Sequence, residues 1–251
     1  MRSEKKRRQV WIRFGTAAAG AVLLVGFGSS RVGRAAGQAK AEAERFDLEV
    51  REDIFKGFTG DAAALERGLK KCEDALAKDP KNAEALVWHG AGLGYRIKAA
   101  FMAGDVALGR QLQAQSAKEM NDAVALRPDD VAVLIPRAAS LLAAAARVPS
   151  PEVAKRNYGL AATDYERVLQ LQATYFSKLP VHSRGELLGG LAEAWHGLGD
   201  DSKAKSYLAR MVKELPDTMY ARRAADLLAG AGKAGALGAT CLGCHIRASD
   251  N

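Results

Sequence analysis

Near its end the chain reads Cys241-Leu242-Gly243-Cys244-His245. On a helix, residues at i, i+3 and i+4 share one face, so two thiols and an imidazole would be presented together. The C-x-x-C-H pattern is the attachment signature of a c-type haem. In that reading Cys241 and Cys244 form thioethers with the two vinyl groups, and His245 reaches the iron as axial ligand. The expected cofactor is one covalent haem c per chain. The same residues leave other chemistries open. A structural zinc site needs four ligands where this motif supplies three, so Cys72 or another histidine would have to complete it. A thiol–disulfide couple of this spacing belongs near a βαβ pattern, which the chain lacks. Two free thiols are the remaining reading.

A second axial donor would be a methionine or a histidine. Met211, Met219, His182 and His196 are nearest in sequence. A methionine at helical spacing is more often core packing, and Met211 occupies an apolar-face position. His196, beside Trp195, reads as a partly exposed histidine, and nothing distinguishes His89, beside Trp88. Cys72 reads as a small buried apolar residue. There is no phosphate-binding glycine loop and no H-E-x-x-H, and the acidic pairs Asp129-Asp130 and Asp200-Asp201 fit helix caps. The chain is therefore expected not to be an enzyme.

The elements that must position the motif are helical. Apolar residues make up 48% of the 251 positions and charged ones 26%, which excludes a mostly disordered chain and a polytopic membrane protein. Alanine is about a fifth of the chain and has the highest helix propensity. Alternating Val/Ile runs are missing, which argues against all-β and doubly wound α/β folds. The net charge is +8, but residues 1–13 hold six cations against Glu4. That concentration argues against a nucleic-acid partner, whose basic stripe would lie in the folded part.

The basic run precedes Phe14 to Gly28, which carries no charge. This is the layout of an export signal. Val10 to Ser30 reaches the roughly 20 residues of a membrane span if Arg13 snorkels to the interface. Small-residue cleavage sites exist near Ala35 and Ala41, but Arg31 and Arg34 directly follow the apolar stretch, which favours an uncleaved anchor. In either case the basic end stays in the cytoplasm and the body is exported, to the periplasmic side of a bacterial cytoplasmic membrane. Haem c attachment takes place outside that membrane, so export and motif agree. The expected organisation is a signal or anchor segment at 1–30, a linker at 31–48, a helical body at 49–230 and the motif-bearing segment at 231–251.

Within the body, residues 185–216 carry the clearest unit. Leu188, Leu191, Ala192 and Trp195 lie at i, i+3, i+4 and i+7, Gly199-Asp200 makes a turn, and Ala204, Leu208 and Met211 define a second face that ends at Pro216. This unit resembles a tetratricopeptide repeat. Gly68, Cys72, Ala75 and Pro80 fit the second helix of a similar unit, and Ser116, Met120, Ala123 and Pro128 fit another. Pro80 to Pro128 spans 48 residues against about 34 in the family, so helices there are elongated or an insertion lies around 99–109. Ser150 and Pro151 are expected to open a helix, Pro136 to kink or start one, and Leu141 to Ala146 to be buried all round. The resemblance implies an all-α solenoid of stacked helix pairs, preceded by the N-terminal anchor or signal helix. Its concave face would bind a protein partner, with Arg96, Lys98, Arg137 and Arg184 as basic candidates near helix ends.

Gly235 to Thr240 followed by the C-x-x-C-H is similar to the end of class II cytochromes c, over about eleven residues. The Tyr-Arg pair often found after that family's motif is replaced by Ile246-Arg247. Only the two thioether positions and the His245 ligand carry over. Together these readings lead to an exported electron carrier or redox subunit docked through its repeats. The alternatives are a haem-free scaffold for an envelope complex and an assembly factor for cytochrome maturation.

Overall fold

The computed structural model describes residues 45–230, and every element among them is helical. In chain order the α-helices are α1 (Asp47–Phe58), α2 (Ala62–Lys78), α3 (Ala83–Met102), α4 (Val106–Leu126), α5 (Val131–Ala145), α6 (Pro151–Leu171), α7 (Val181–Gly197), α8 (Asp201–Glu214) and α9 (Met219–Leu228). A single 3-10 turn, Phe176–Lys178, lies between α6 and α7. None of the described helices is long and apolar enough to cross a membrane.

The starts of these helices are written in side chains. Asp61, Asn82, Asp105, Asp130, Ser150, Asp200 and Thr218 each accept a hydrogen bond from a backbone N–H of the following first turn. Each such cap satisfies a donor that the helix cannot and contributes about 0.5–2 kcal/mol. Ser150 and Pro151 open α6 as their types require. Of the two roles expected of Pro136, starting the helix is not the one it has. α5 begins five residues earlier, at the Asp130 cap, and carries Pro136 inside. The Leu141 to Ala146 run is also less covered than its composition suggests, since Leu142 and Ala145 are buried while Ala144 and Ala146 are exposed. α1 starts at Asp47 and Phe46 is already in the core, so the helical body begins slightly before residue 49.

Each helix packs on its sequence neighbours, and α1 on α3, α3 on α5 and α5 on α7 as well. α1, α3, α5 and α7 are thereby joined in series as well as to their partners. Consequently α3 is buried without a break from Ala83 to Leu93, and α7 from Leu187 to Ala194. Glycines allow the close approaches: a Cβ on Gly92 would lie 2.7 Å from Leu69, and one on Gly190 2.5 Å from the Tyr165 ring. The apolar core forms two clusters. One is built around Val50, Ile54, Leu69, Val87 and Leu93, the other around Leu142, Val168, Leu188, Leu191 and Met211, and Val124 packs against both. Fully burying each of these side chains contributes about 1.5–3 kcal/mol.

The spacing read from sequence recurs in three dimensions. Gly68 and Cys72 on α2, Ser116, Met120 and Ala123 on α4, and Ala204, Leu208 and Met211 on α8 are buried, while Ala75 on α2 is partly buried. Gly199, at φ +85°, makes the α7–α8 turn in the left-handed region that glycine tolerates.

Candidate functional site

Cys241, Cys244 and His245 lie outside the described residues, as does the N-terminal signal or anchor segment. What is described is the body that would carry them and the side chains named as further donors.

These donors occupy different surroundings. Met211, fully buried in the core on α8, would have to leave that core to meet any ligand. Met219, at the start of α9, is 37% exposed. The His182 ring is half-exposed, with its Nδ1 2.7 Å from the Tyr220 hydroxyl, which donates to Glu186 at 2.8 Å. The His196 ring is also half-exposed, with Nδ1 2.8 Å from Asp201. Among the described residues no group of three or more His, Cys, Asp or Glu side chains is placed to hold a metal ion.

Cys72 is buried on α2. Burial pushes its thiol up to about 12, and the charges of Glu119 and Glu73 add to the effect. It is a protonated, inert thiol at neutral pH, as the apolar reading of its position requires.

The histidine that sequence reasoning passed over is the most enclosed. His89 on α3 is 5% exposed, with Nδ1 2.7 Å from Glu119 on α4 and Nε2 3.7 Å from Glu73 on α2. Arg96, two turns further along α3, pairs with Glu66 and reaches Glu73 at 3.9 Å. Beside them Ser116 Oγ donates to the Gly90 carbonyl at 2.7 Å. This polar seam fastens α2, α3 and α4 together. Its signal was present in the spacing: Leu86, His89, Gly90 and Leu93 fall at i, i+3, i+4 and i+7.

The basic residues considered for a binding groove are mostly engaged within the fold. Arg137 is buried and forms a bidentate pair with Asp164, at 2.7 and 2.6 Å, with Asn121 accepting a third bond at 3.2 Å. Burial raises the Asp164 carboxyl, and the guanidinium pulls against that shift. Arg184 donates to the Glu214 carbonyl at 3.3 Å. Lys98 is exposed. A shallow cavity of about 610 Å³ lies between the α4–α5 turn and the end of α6, lined by Arg127, Pro128, Val131, Leu171 and Tyr175 among others. Two of its charges are already used, because Arg127 reaches Glu84 at 3.5 Å and Asp129 accepts from Arg167 at 2.6 Å.

Around Trp195 the polar groups close on one another as well. Its indole N–H donates to Glu166 at 3.2 Å, and Lys203 lies 3.4 Å over the ring while pairing with the same carboxylate at 2.7 Å. Many polar groups of the described body thus join one helix to another, although the buried Trp88 Nε1 and His89 Nε2 have no hydrogen-bond partner.

Compared with protein-family models, with curated proteins and with solved structures, the chain matches none.

Proposed function

We propose that the chain is an exported tetratricopeptide-like array of helix pairs that carries one covalent haem c and serves as an electron carrier or redox subunit. The observation that carries this reading is the C-x-x-C-H at 241–245. Its donor set has the right chemistry: two thiols to form thioethers and one imidazole to act as axial ligand, at a spacing that would put all three on one face of a helix. When bound, the haem supplies one-electron storage and transfer. The chain's own contribution is to hold that group on a rigid support. The motif follows α9 by about a dozen residues, and α9 is fixed by Tyr220, Ala221 and Ala224 in the core.

Two features of the body support the repeat reading. The same apolar spacing recurs on α2, α4 and α8. α1, α3, α5 and α7 are joined in series along the chain. A single helix pair cannot bury its own apolar stripe, and stacking gives it a shared core. In such an array a concave face is available to a protein partner, while residues 1–30 tie the chain to the membrane on its periplasmic side.

A visible spectrum and a haem-stained denaturing gel test this. The protein is expressed with its N-terminal segment in a host that matures c-type cytochromes. A covalent haem band that is lost in Cys241→Ala is the expected result. No stain, with Cys241 and Cys244 alkylatable or bridged to each other, would sink the electron-carrier reading and leave a scaffold or a cytochrome-maturation factor.

A further inference from the structure

Four large apolar side chains that stand in solvent fall within eight positions of one another. They are Phe101, Met102, Val106 and Leu108, between 38% and 78% exposed, at the turn between α3 and α4. This is where the α3–α4 pair departs from the α7–α8 pair. The last core position of the first helix and the first core position of the second are Leu93 and Ser116 in one pair, and Trp195 and Ala204 in the other. The first interval is fourteen residues longer. Shared between two helices, that is about two extra turns each, an extension of about 10 Å. Burial follows the same line. α3 is covered through Leu93 and, Ala100 apart, partly or fully exposed from Gly94 to Met102. α4 is exposed from Val106 to Gln115 except at Gly109 and the half-buried Leu112.

The extension is built to hold its shape. Gly104 turns the chain at φ +79°, and Asp105 accepts the Leu108 N–H at 3.0 Å. The Phe101 ring lies over Gly109, where an added Cβ would sit 2.7 Å from it. A closed, capped hairpin therefore ends in uncovered apolar side chains. Around them stand Lys98 and Arg110, both exposed and neither with an acidic partner among the described residues. The acid between them, Asp105, is occupied as the α4 cap.

We propose that this apex docks into the interface of an anionic lipid bilayer. Met102, Val106 and Leu108 enter the boundary between headgroups and acyl chains, and Lys98 and Arg110 meet the lipid phosphates. An apolar point with a cationic collar is complementary to that surface and to few others. A stable protein interface uses about 20–30 residues a side, far more than an apex of this size offers. The inference does not rest on the haem; it shares with the proposed function only the placement of the chain at a membrane.

The test uses the full chain in vesicles of phosphatidylcholine and phosphatidylglycerol, with a benzophenone photocrosslinking residue at Met102 or, as control, at Val212 on α8, which is 37% exposed. Irradiation is expected to give a lipid adduct on the 98–110 peptide at least about fivefold above the control. Lys98→Glu combined with Arg110→Glu, or omission of phosphatidylglycerol, should lower that adduct about tenfold. Equal adducts at the two positions, an adduct indifferent to both charge changes, or crosslinking of Met102 to a second copy of the chain would each overturn the proposal. Loss of haem in a separate Cys241→Ala variant leaves these outcomes unaffected, so the two readings fail separately.

Discussion

The tripeptide Trp-His-Gly occurs twice, at 88–90 on α3 and at 195–197 on α7, and its two copies lead opposite lives. His89 is enclosed between Glu119 and Glu73, while His196 is half-exposed beside Asp201. Trp88 is 7% exposed and packs edge-on against Phe55, whereas Trp195 lies half-buried beneath Lys203. The cause is register. Aligning the apolar faces matches Leu86 with Leu188 and Leu93 with Trp195, so His89 falls where Leu191 stands and His196 where Gly94 stands. The second copy is therefore displaced by five residues relative to its helix. At about 100° per residue this turns each side chain about 140° from its counterpart. Position on the helical face decided the environment, and the local tripeptide did not.

The strongest way to break this comparison is to remove both imidazoles in turn. His89→Ala empties a buried site and leaves Glu119 without its closest partner, so a loss of about 2–4 kcal/mol is expected. His196→Ala takes away an exposed pair and should change stability by no more than about 0.5 kcal/mol. Urea denaturation of the two variants measures both, and equal losses would refute the register argument. The glycines give a smaller contrast. A Cβ on Gly90 would lie 3.0 Å from the Ser116 carbonyl oxygen, a backbone atom that cannot swing away, and 2.8 Å from Met120. The three atoms nearest a Cβ on Gly197 all belong to the ring of half-buried Tyr158, at 2.5–2.6 Å. Gly90→Ala should cost about 1–3 kcal/mol. Gly197→Ala should cost less than half as much, since the ring can move outward and alanine favours the helix. Thermal unfolding monitored by circular dichroism would rank them.

How much of this was legible beforehand follows from the same register. The α7–α8 face was readable because large residues, Leu188, Leu191 and Trp195, mark it. The matching face of α3 places His89 and Gly90 between Leu86 and Leu93, so two of its four positions carry residues that composition does not associate with a core. The caps at Ser150, Asp130 and Asp200 were legible because short polar side chains there have a local job. Pro136 was legible only in part, because a proline can open a helix or sit within one, and the Asp130 cap places the start of α5 before it. Arg137 and Arg184 looked like groove cations, yet their partners, Asp164 and the Glu214 carbonyl, lie 27 and 30 residues away and no local pattern announces them. For the proposed haem site the order is reversed: the reading rests wholly on the five consecutive residues 241–245, which lie outside the described residues.

The smallest effect concerns acid, and it separates the α1–α3 half from the α7–α8 half. Asp53 on α1 accepts from Lys71 at 2.8 Å and from Arg67 at 2.9 Å, both on α2, the helix that also presents Glu73 to His89. The Lys71 hydrogen bond, with Arg67 in support, holds the Asp53 carboxyl below its usual range against the opposing effect of partial burial. A carboxylate depressed in the folded state stabilises fully above its unfolded pKa of about 3.9, and the contribution disappears as pH falls through the folded value. Both cations are substantially exposed, so the contribution is under about 1 kcal/mol. Asp53→Asn should therefore be slightly less stable than the parent at pH 7, and the gap should narrow by pH 2. Urea midpoints at the two pH values would measure this, and a gap that persists undiminished in acid would mean that packing at the α1–α2 contact, and not the charge on Asp53, is what the substitution removes.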